Sequence, residues 1–171
     1  MGFSAARTVA LILALCWSLP TGGPVQASTM GPFAAIAGWW GGEGRLRFKD
    51  GKQEQVKCRT TYFVSGEGDE LKQTIRCASG SGKIEVTSQV KHEGGKLTGT
   101  WVETVYNLNG ELTGDVTPRG YRVVVKGADA TPYANMDIIV RDKKQIIEIQ
   151  FFNETLVGLT LMLNKGETVS Q

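Results

Sequence analysis

Two cysteines, Cys58 and Cys77, carry the clearest chemistry in this chain. They lie in two runs of alternating polar and apolar residues on either side of a turn. If Val64 pairs with Leu71, antiparallel register places Cys58 directly opposite Cys77, where the two Cβ atoms come within reach of a disulfide. A metal site or a redox pair is the weaker alternative, because the cysteines lack CxxC spacing and His92 is the only histidine. We therefore expect a Cys58–Cys77 disulfide and an oxidising compartment.

Catalytic groups are sparse in the sequence. Nucleophilic catalysis needs a nucleophile, a base and an orienting group, and His92 falls in a predicted turn, where we expect it to be solvated. Carboxylates offer general acid–base chemistry instead. Glu148 alternates with isoleucines and should point outward, whereas Glu103 shares the inner phase of its strand with Trp101. We expect Glu103 to have a raised pKa or a partner, and we expect neither catalysis nor a cofactor.

The elements that position these residues are short β-strands. Beyond Gly38 the chain has almost no helical periodicity and alternates between apolar runs and turns rich in Gly, Asn, Asp and Lys. Two of the turns, at 49–52 and 107–110, carry the Asp-Gly and Asn-Gly signals of tight hairpins. The pattern predicts ten strands: 43–49, 53–64, 71–78, 83–91, 96–106, 111–117, 121–126, 134–141, 145–152 and 155–163.

Ten consecutive strands joined by short turns form an all-β, antiparallel, up-and-down meander. Such a meander should close into a barrel, since closure removes the exposed edge strands. Before the first strand, the spacing of Phe33, Ile36 and Ala37 after a proline predicts a short helical turn.

Alternation along the strands also identifies the inner face of the barrel. Each strand contributes an apolar stripe, but the same phase carries the polar groups of Thr60, Tyr62, Gln73, Ser88 and Glu103. A solid core rarely holds so many polar side chains, whereas a cavity can. We therefore predict a ligand cavity with contacts at Tyr62, Gln73, Trp101, Glu103 and Tyr121. Among the aromatic residues, Trp39, Trp40 and Phe151 could also line it, although Trp40 is expected to pack in the core.

The first 27 residues have the pattern of a secretory signal peptide. Arg7 precedes an apolar run at 9–19, and small residues end at Ala27, where we expect cleavage. A membrane anchor is the alternative, but the run is short for spanning a bilayer. Cleavage removes Cys16 and leaves one pair of cysteines in a single domain, residues 28–171, that is periplasmic or secreted.

The charge of the 171-residue chain is modest, formally +2, which argues against a general nucleic-acid binder. Its cations nevertheless cluster on the predicted outer face of the first three strands. This face could contact an anionic surface or an acidic partner, or it could serve only solubility and edge protection. The residues concerned are Arg45, Arg47, Lys57, Arg59 and Arg76.

The segment Gly38-Trp-Trp-Gly-Gly-Glu-Gly44 resembles the Gly-x-Trp opening of the calycin superfamily, which includes lipocalins, fatty-acid-binding proteins, avidins and nitrobindin-like barrels. In those folds a tryptophan plugs the closed end of the barrel, and Trp40 matches that position. Leu97-Thr-Gly-Thr-Trp101 is similar to the Thr-Gly-x-Trp strands of avidin-type barrels. The resemblance implies a lipocalin-like fold, as in small exported bacterial domains, with a ligand site in the barrel. It does not imply haem, because His92 does not match the late haem-binding histidine of nitrobindin-like proteins.

The sequence thus favours a non-enzymatic, exported protein that holds a small hydrophobic or amphipathic ligand, with Tyr62, Gln73 or Glu103 fixing its polar end. Two alternatives belong to a different class. One is a periplasmic protease inhibitor whose arm, residues 28–37, enters a protease cleft. The other is an envelope-surface protein that uses the basic face.

Overall fold

The computed structural model describes Met1 and residues 30–166 of the chain. Apart from Met1, the predicted signal segment lies outside the described residues, as do residues 28–29 and 167–171 of the predicted domain. The described residues contain two isolated 3₁₀ turns, at Ala34–Ile36 and Gly66–Gly68. Within residues 30–166, no helical segment has the length and apolar character needed to cross a membrane.

Ten strands follow one another in up-and-down order. Each strand pairs antiparallel with the next, and the first also pairs with the last, so the sheet closes into a barrel. The predicted all-β meander barrel with a short helical turn before it is therefore confirmed. The strands are β1 (Gly38–Phe48), β2 (Gln53–Ser65), β3 (Glu70–Ser79), β4 (Lys83–Glu93), β5 (Lys96–Glu103), β6 (Leu108–Thr117), β7 (Gly120–Gly127), β8 (Pro132–Arg141), β9 (Lys144–Phe151) and β10 (Leu156–Lys165).

Side-chain alternation explains why the sheet curls around one interior. In β2, every second residue from Val56 to Tyr62 is buried, while Arg59 and Thr61 are exposed. The period of two directs one face of each strand inward. The predicted register of β2 and β3 is confirmed, since Val64 pairs with Leu71 and the partners step outward from there.

Two predicted strand starts are wrong, and glycines explain both, while the predicted fifth strand, 96–106, ends earlier, at Glu103. β1 begins at Gly38 rather than at residue 43. Gly42 lies inside this strand, where a side chain would collide with the main-chain oxygen of Met162 on β10. The Asn-Gly pair at 109–110 lies inside β6 rather than in a hairpin turn. At Gly110 the missing side chain makes room for the main-chain oxygen of Lys126 on β7. In both places glycine permits close strand approach instead of a turn.

The barrel has two different ends. At the end where β1 begins, which we call the capped end, residues 31–37 lie across the opening. Phe33 and Ile36 are buried there. At the other end, which we call the mouth, the connecting turns include residues 104–107 between β5 and β6.

Candidate ligand-binding site

A cavity of about 270 Å³ occupies the barrel interior. All ten strands except β1 contribute to its wall, and Phe33 and Ile36 of the capping segment close one end of it. The wall is mostly aliphatic and aromatic, with a few polar groups placed among the apolar side chains. This combination is typical of pockets for small organic ligands, although the volume is small for that class.

The capped end is held by hydrogen bonds to the loops and strands around it. The Tyr121 hydroxyl donates to the Pro32 oxygen at 2.8 Å, and the Phe33 ring packs on Tyr121 at 5.5 Å between centroids. The Phe33 N–H donates to the Gly68 oxygen at 3.0 Å. Burial raises the pKa of Tyr121 to about 12. Tyr121 therefore lines the cavity and also holds the cap.

Trp40 lies beneath this segment, where the calycin resemblance implies a plug. Its side chain is 0% exposed, and its Nε1–H donates to the Ile36 oxygen at 2.8 Å. The Trp40 ring meets Tyr62 edge-on, with centroids 6.4 Å apart, and Lys165 Nζ lies 5.7 Å from the ring. Trp39, in contrast, is 48% exposed on the outer face, so the prediction that it could line the cavity is wrong. Because adjacent residues of a strand point to opposite faces of the sheet, only one of the neighbouring residues Trp39 and Trp40 can point into the barrel.

Three of the five predicted contact residues lie in one row across the sheet. Tyr62 pairs with Gln73, Gln73 with Ser88, and Ser88 with Trp101, so the row runs from β2 to β5. All four side chains line the cavity, as do Glu103 and Tyr121. The structure thus brings the five predicted residues to one cavity, while their contact with a ligand stays a prediction.

Gln145 on β9 is a polar cavity residue that the sequence reasoning missed. It is only 1% exposed, and its Oε1 accepts the Tyr62 hydroxyl at 2.9 Å. Its Nε2, like Thr60 Oγ1, has no hydrogen-bond partner within the described part of the chain. Burial raises the pKa of Tyr62, and the bond to Gln145 only partly offsets this. Gln145 is in phase with Ile147 and Ile149, so the alternation that identified the other inner residues could have identified it.

Glu103 lines the cavity, but its carboxylate is hydrogen-bonded to the protein backbone. Its oxygens accept three backbone N–H groups: Glu85 at 3.1 Å, Val105 at 3.0 Å and Tyr106 at 2.6 Å. Desolvation raises the pKa of Glu103, but these bonds outweigh it and the pKa lies below its ordinary value. The sequence predicts either a raised pKa or a partner for Glu103. The partners are present, and the pKa is not raised.

Aromatic side chains extend the apolar wall toward the mouth. Trp101 donates its Nε1–H to the Lys126 oxygen at 2.9 Å, which fixes its indole, and its ring lies 5.5 Å from that of Tyr133. Tyr133 in turn meets Phe151 edge-on at 6.4 Å. Tyr106 lines the mouth and is 61% exposed. Tyr106 therefore borders both the cavity and the solvent at the mouth.

His92 does not lie in a solvated turn as predicted. It is part of β4, because the following hairpin turn needs only Gly94 and Gly95, both with positive φ. Its Nδ1 lies 2.6 Å from Asp69 Oδ1, and its Nε2 accepts the Gly95 N–H at 3.0 Å. The imidazole therefore joins the β2–β3 loop to the β4–β5 turn.

The predicted disulfide is present between Cys58 and Cys77. The two residues are direct partners on β2 and β3 with Cα atoms 4.1 Å apart, as in a narrow antiparallel pair. Both side chains are buried, and Cys77 lines the cavity. The bridge thus braces the cavity wall.

The predicted basic residues all lie on the outer side of the barrel, where they are mixed with acids. Arg76 pairs with Glu85 at 2.8 Å, and Lys57 lies 4.0 Å from Glu43. Arg59 is the direct partner of Arg76, as the register predicted. Among the others, Arg45 is exposed and Arg47 donates to Thr160 at 3.3 Å. Carboxylates that neutralise part of this face weaken its attraction for anions, and anion contact stays a prediction.

Comparisons with known proteins leave the family open. No protein-family description matches the chain, and no curated protein matches it. One similar solved structure is a de novo designed, fluorescence-activating β-barrel, with 14% identity, a TM-score of 0.42, and coverage of 78% of this chain and 97% of that one. A similarity this low supports no functional argument, and the barrel assignment stands on the strand pairing.

Proposed function

We propose that this protein is an exported, non-enzymatic binding protein that holds a small hydrophobic or amphipathic ligand inside its barrel. The observation that carries the proposal is the cavity of about 270 Å³, capped by Phe33 and Ile36 at one end and bordered by Tyr106 at the mouth. Burying an apolar ligand there would contribute about 25 cal/mol for each Å² removed from water.

The polar groups of the wall support an amphipathic ligand. Tyr62, Gln73 and Ser88 lie in one row, and Gln145 is bonded to Tyr62 beside them. A few placed polar groups in an apolar pocket orient a ligand. We assign no catalytic step, because Glu103 is committed to backbone N–H groups and His92 is bonded to Asp69 and Gly95.

Export is supported by two separate observations. The Cys58–Cys77 disulfide fits an oxidising compartment, and the first 27 residues have the pattern of a cleaved signal.

The alternative of a protease inhibitor needs an available N-terminal arm. Residues 31–36 instead contact the β2–β3 loop and Tyr121, with hydrogen bonds from Gly31 and Phe33, which favours ligand binding over that alternative.

Titration with the fluorescent probe N-phenyl-1-naphthylamine tests the proposal. Ala134 is buried and lines the cavity, so Ala134→Phe should fill part of it, whereas Val102→Phe adds the same ring on the exposed outer face of β5. We expect saturable binding to the wild type and to V102F, and at least tenfold weaker binding to A134F. Val123→Phe serves as a second filling variant if A134F does not fold. Absence of saturable binding, or equal binding by folded filled variants, would overturn the proposal.

A further inference from the structure

The side-chain amide of Gln145 lies at the capped end of the cavity with both of its N–H donors unused among the described residues. Gln145 is the second residue of β9, the strand that starts at this end, and its side chain both lines the cavity and is 1% exposed. Tyr62 donates to Oε1 at 2.9 Å, so the oxygen end of the amide faces the tyrosine. The Nε2 group is left without a partner among the described residues.

An unused amide donor in an apolar wall has a chemical consequence. A buried donor without an acceptor destabilises the protein by about 1–3 kcal/mol. A ligand with an acceptor at its inner end would satisfy that donor on binding, while a purely apolar ligand would leave it unsatisfied. A site of this kind would therefore distinguish the two ligands by one hydrogen bond.

The charge of the cavity wall restricts the ligand further. Among the described residues that line the cavity, none is Lys, Arg or His, and Glu103 is the one charged side chain. The depressed pKa of Glu103 keeps this group anionic at neutral pH. A carboxylate or phosphate brought to the capped end would be desolvated with no cation to pair it, which costs several kcal/mol.

We propose that the ligand is an uncharged molecule with an apolar body and a carbonyl oxygen, which accepts a hydrogen bond from Gln145 Nε2 at the capped end. This inference rests on the proposed function and specifies its ligand class. Gln145 is then a specificity-determining residue, and Tyr62 is a positioning residue that orients its amide.

Calorimetric titration with three probes of nearly equal shape tests the assignment. 2-Acetylnaphthalene offers a ketone oxygen, 2-isopropylnaphthalene replaces that oxygen with a methyl group, and 2-naphthoate carries a negative charge. Gln145→Met removes the donor at similar volume. Gln150→Met makes the same change at an exposed position of the same strand and serves as the control.

We expect the ratio of Kd values, isopropyl over ketone, to fall about five- to tenfold from the wild type to Q145M, as the loss of one hydrogen bond predicts. The ratio in Q150M should equal that of the wild type. Naphthoate should bind the wild type at least tenfold more weakly than the ketone. Tyr62→Phe/Gln145→Met removes both polar groups together and replaces Q145M if that variant does not fold.

The outcomes separate this inference from the function on which it rests. If the neutral probes bind but their ratio is the same in wild type and Q145M, or if naphthoate binds as tightly as the ketone, the Gln145 assignment is wrong while the binding function stands. If neither neutral probe binds the wild type, both fail. As a readout on unmutated protein, the Gln145 side-chain NH₂ protons in a ¹⁵N correlation spectrum should lie further downfield with the ketone bound than with the isopropyl probe bound, because only the ketone accepts a hydrogen bond and both probes carry the same ring.

Discussion

The carboxylate of Glu103 accepts the backbone N–H of Tyr106 at 2.6 Å, so an acid of the cavity wall shapes the turn that borders the mouth. The same side chain binds the N–H of Val105 and, across the sheet, that of Glu85. These bonds fix the loop at 104–107, in which Asn107 has a positive φ, and set the register of β5 with β6. Glu103 is therefore a structural acid in the cavity wall.

Replacing Glu103 by glutamine should destabilise the protein by about 1–2 kcal/mol at neutral pH, because charge-assisted hydrogen bonds become neutral ones. The pKa of Glu103 is lowered in the fold, so its contribution is present above the ordinary pKa of a glutamate and is lost as pH falls through the lowered value. Urea unfolding of both proteins at pH 7 and near pH 3 measures the difference, which should shrink in acid.

Glu148→Gln is the matched control for this change, because Glu148 is exposed on β9. Its stability should follow that of the wild type within about 0.5 kcal/mol at neutral pH. A difference between wild type and E103Q that stays constant or grows toward pH 3 would contradict the assignment.

Removing the Cys58–Cys77 bridge should lower the free energy of unfolding by about 3 kcal/mol, since the bridge restricts the unfolded chain. Urea unfolding with and without a reductant measures the effect in the wild type. Cys58→Ala/Cys77→Ala should resemble the reduced protein and be insensitive to reductant. Two free thiols in protein taken from an oxidising compartment would show that the bridge does not form.

The adjacent tryptophans offer a matched pair of substitutions. Trp40→Phe removes a fully buried indole and its 2.8 Å bond to the Ile36 oxygen, and should cost about 2–3 kcal/mol. Trp39→Phe changes an exposed ring and should stay within about 0.5 kcal/mol of the wild type. Thermal and urea unfolding measure both, and equal effects would mean that Trp40 does not plug the barrel.

Removing the Tyr121 hydroxyl should loosen the cap. Tyr121→Phe loses the hydrogen bond to the Pro32 oxygen, which contributes about 1 kcal/mol to stability. The Phe33 amide, which donates to the Gly68 oxygen in the same segment, should then exchange its hydrogen faster. Unchanged Phe33 protection in Y121F would show that the hydroxyl does not hold the segment.

The burial of Tyr121 also predicts how the stability of the protein changes at alkaline pH. The pKa of Tyr121 rises from 10.0 to about 12 on folding, so over that range the unfolded chain loses a proton that the folded chain keeps, and stability falls as pH rises. Unfolding measured between pH 9 and pH 11 should show a steeper fall for the wild type than for Y121F. Parallel curves would contradict the burial of the hydroxyl.

Much of the fold could be predicted because it depends on local alternation. The strand count, the closed meander and the pairing of Cys58 with Cys77 all follow from side-chain period and hairpin register. Alternation also directs Tyr62, Gln73 and Glu103 inward, and these residues line the cavity. Register in a hairpin depends on residues close in sequence, which is why it is accessible without a structure.

What could not be predicted depends on contacts between distant strands. The Asn-Gly pair at 109–110 has the local signal of a turn, but the bonds of Glu103 place the turn earlier, and Gly110 accommodates β7 instead. The hydrogen bond between Gln145 and Tyr62 could not be predicted, because the two residues lie 83 positions apart in the chain and meet only in the folded barrel. The hydrogen bonds of His92 likewise require the β2–β3 loop to be in place.

Native mass spectrometry of the mature protein, purified from the cells that produce it, tests the central claim most directly. We expect a retained small-molecule mass that is lost on denaturation and is absent from Ala134→Phe, together with a chain mass two hydrogens below that of the reduced form. A bare polypeptide mass for both wild type and A134F, with no mass gained on adding 2-acetylnaphthalene, would contradict ligand binding in the barrel.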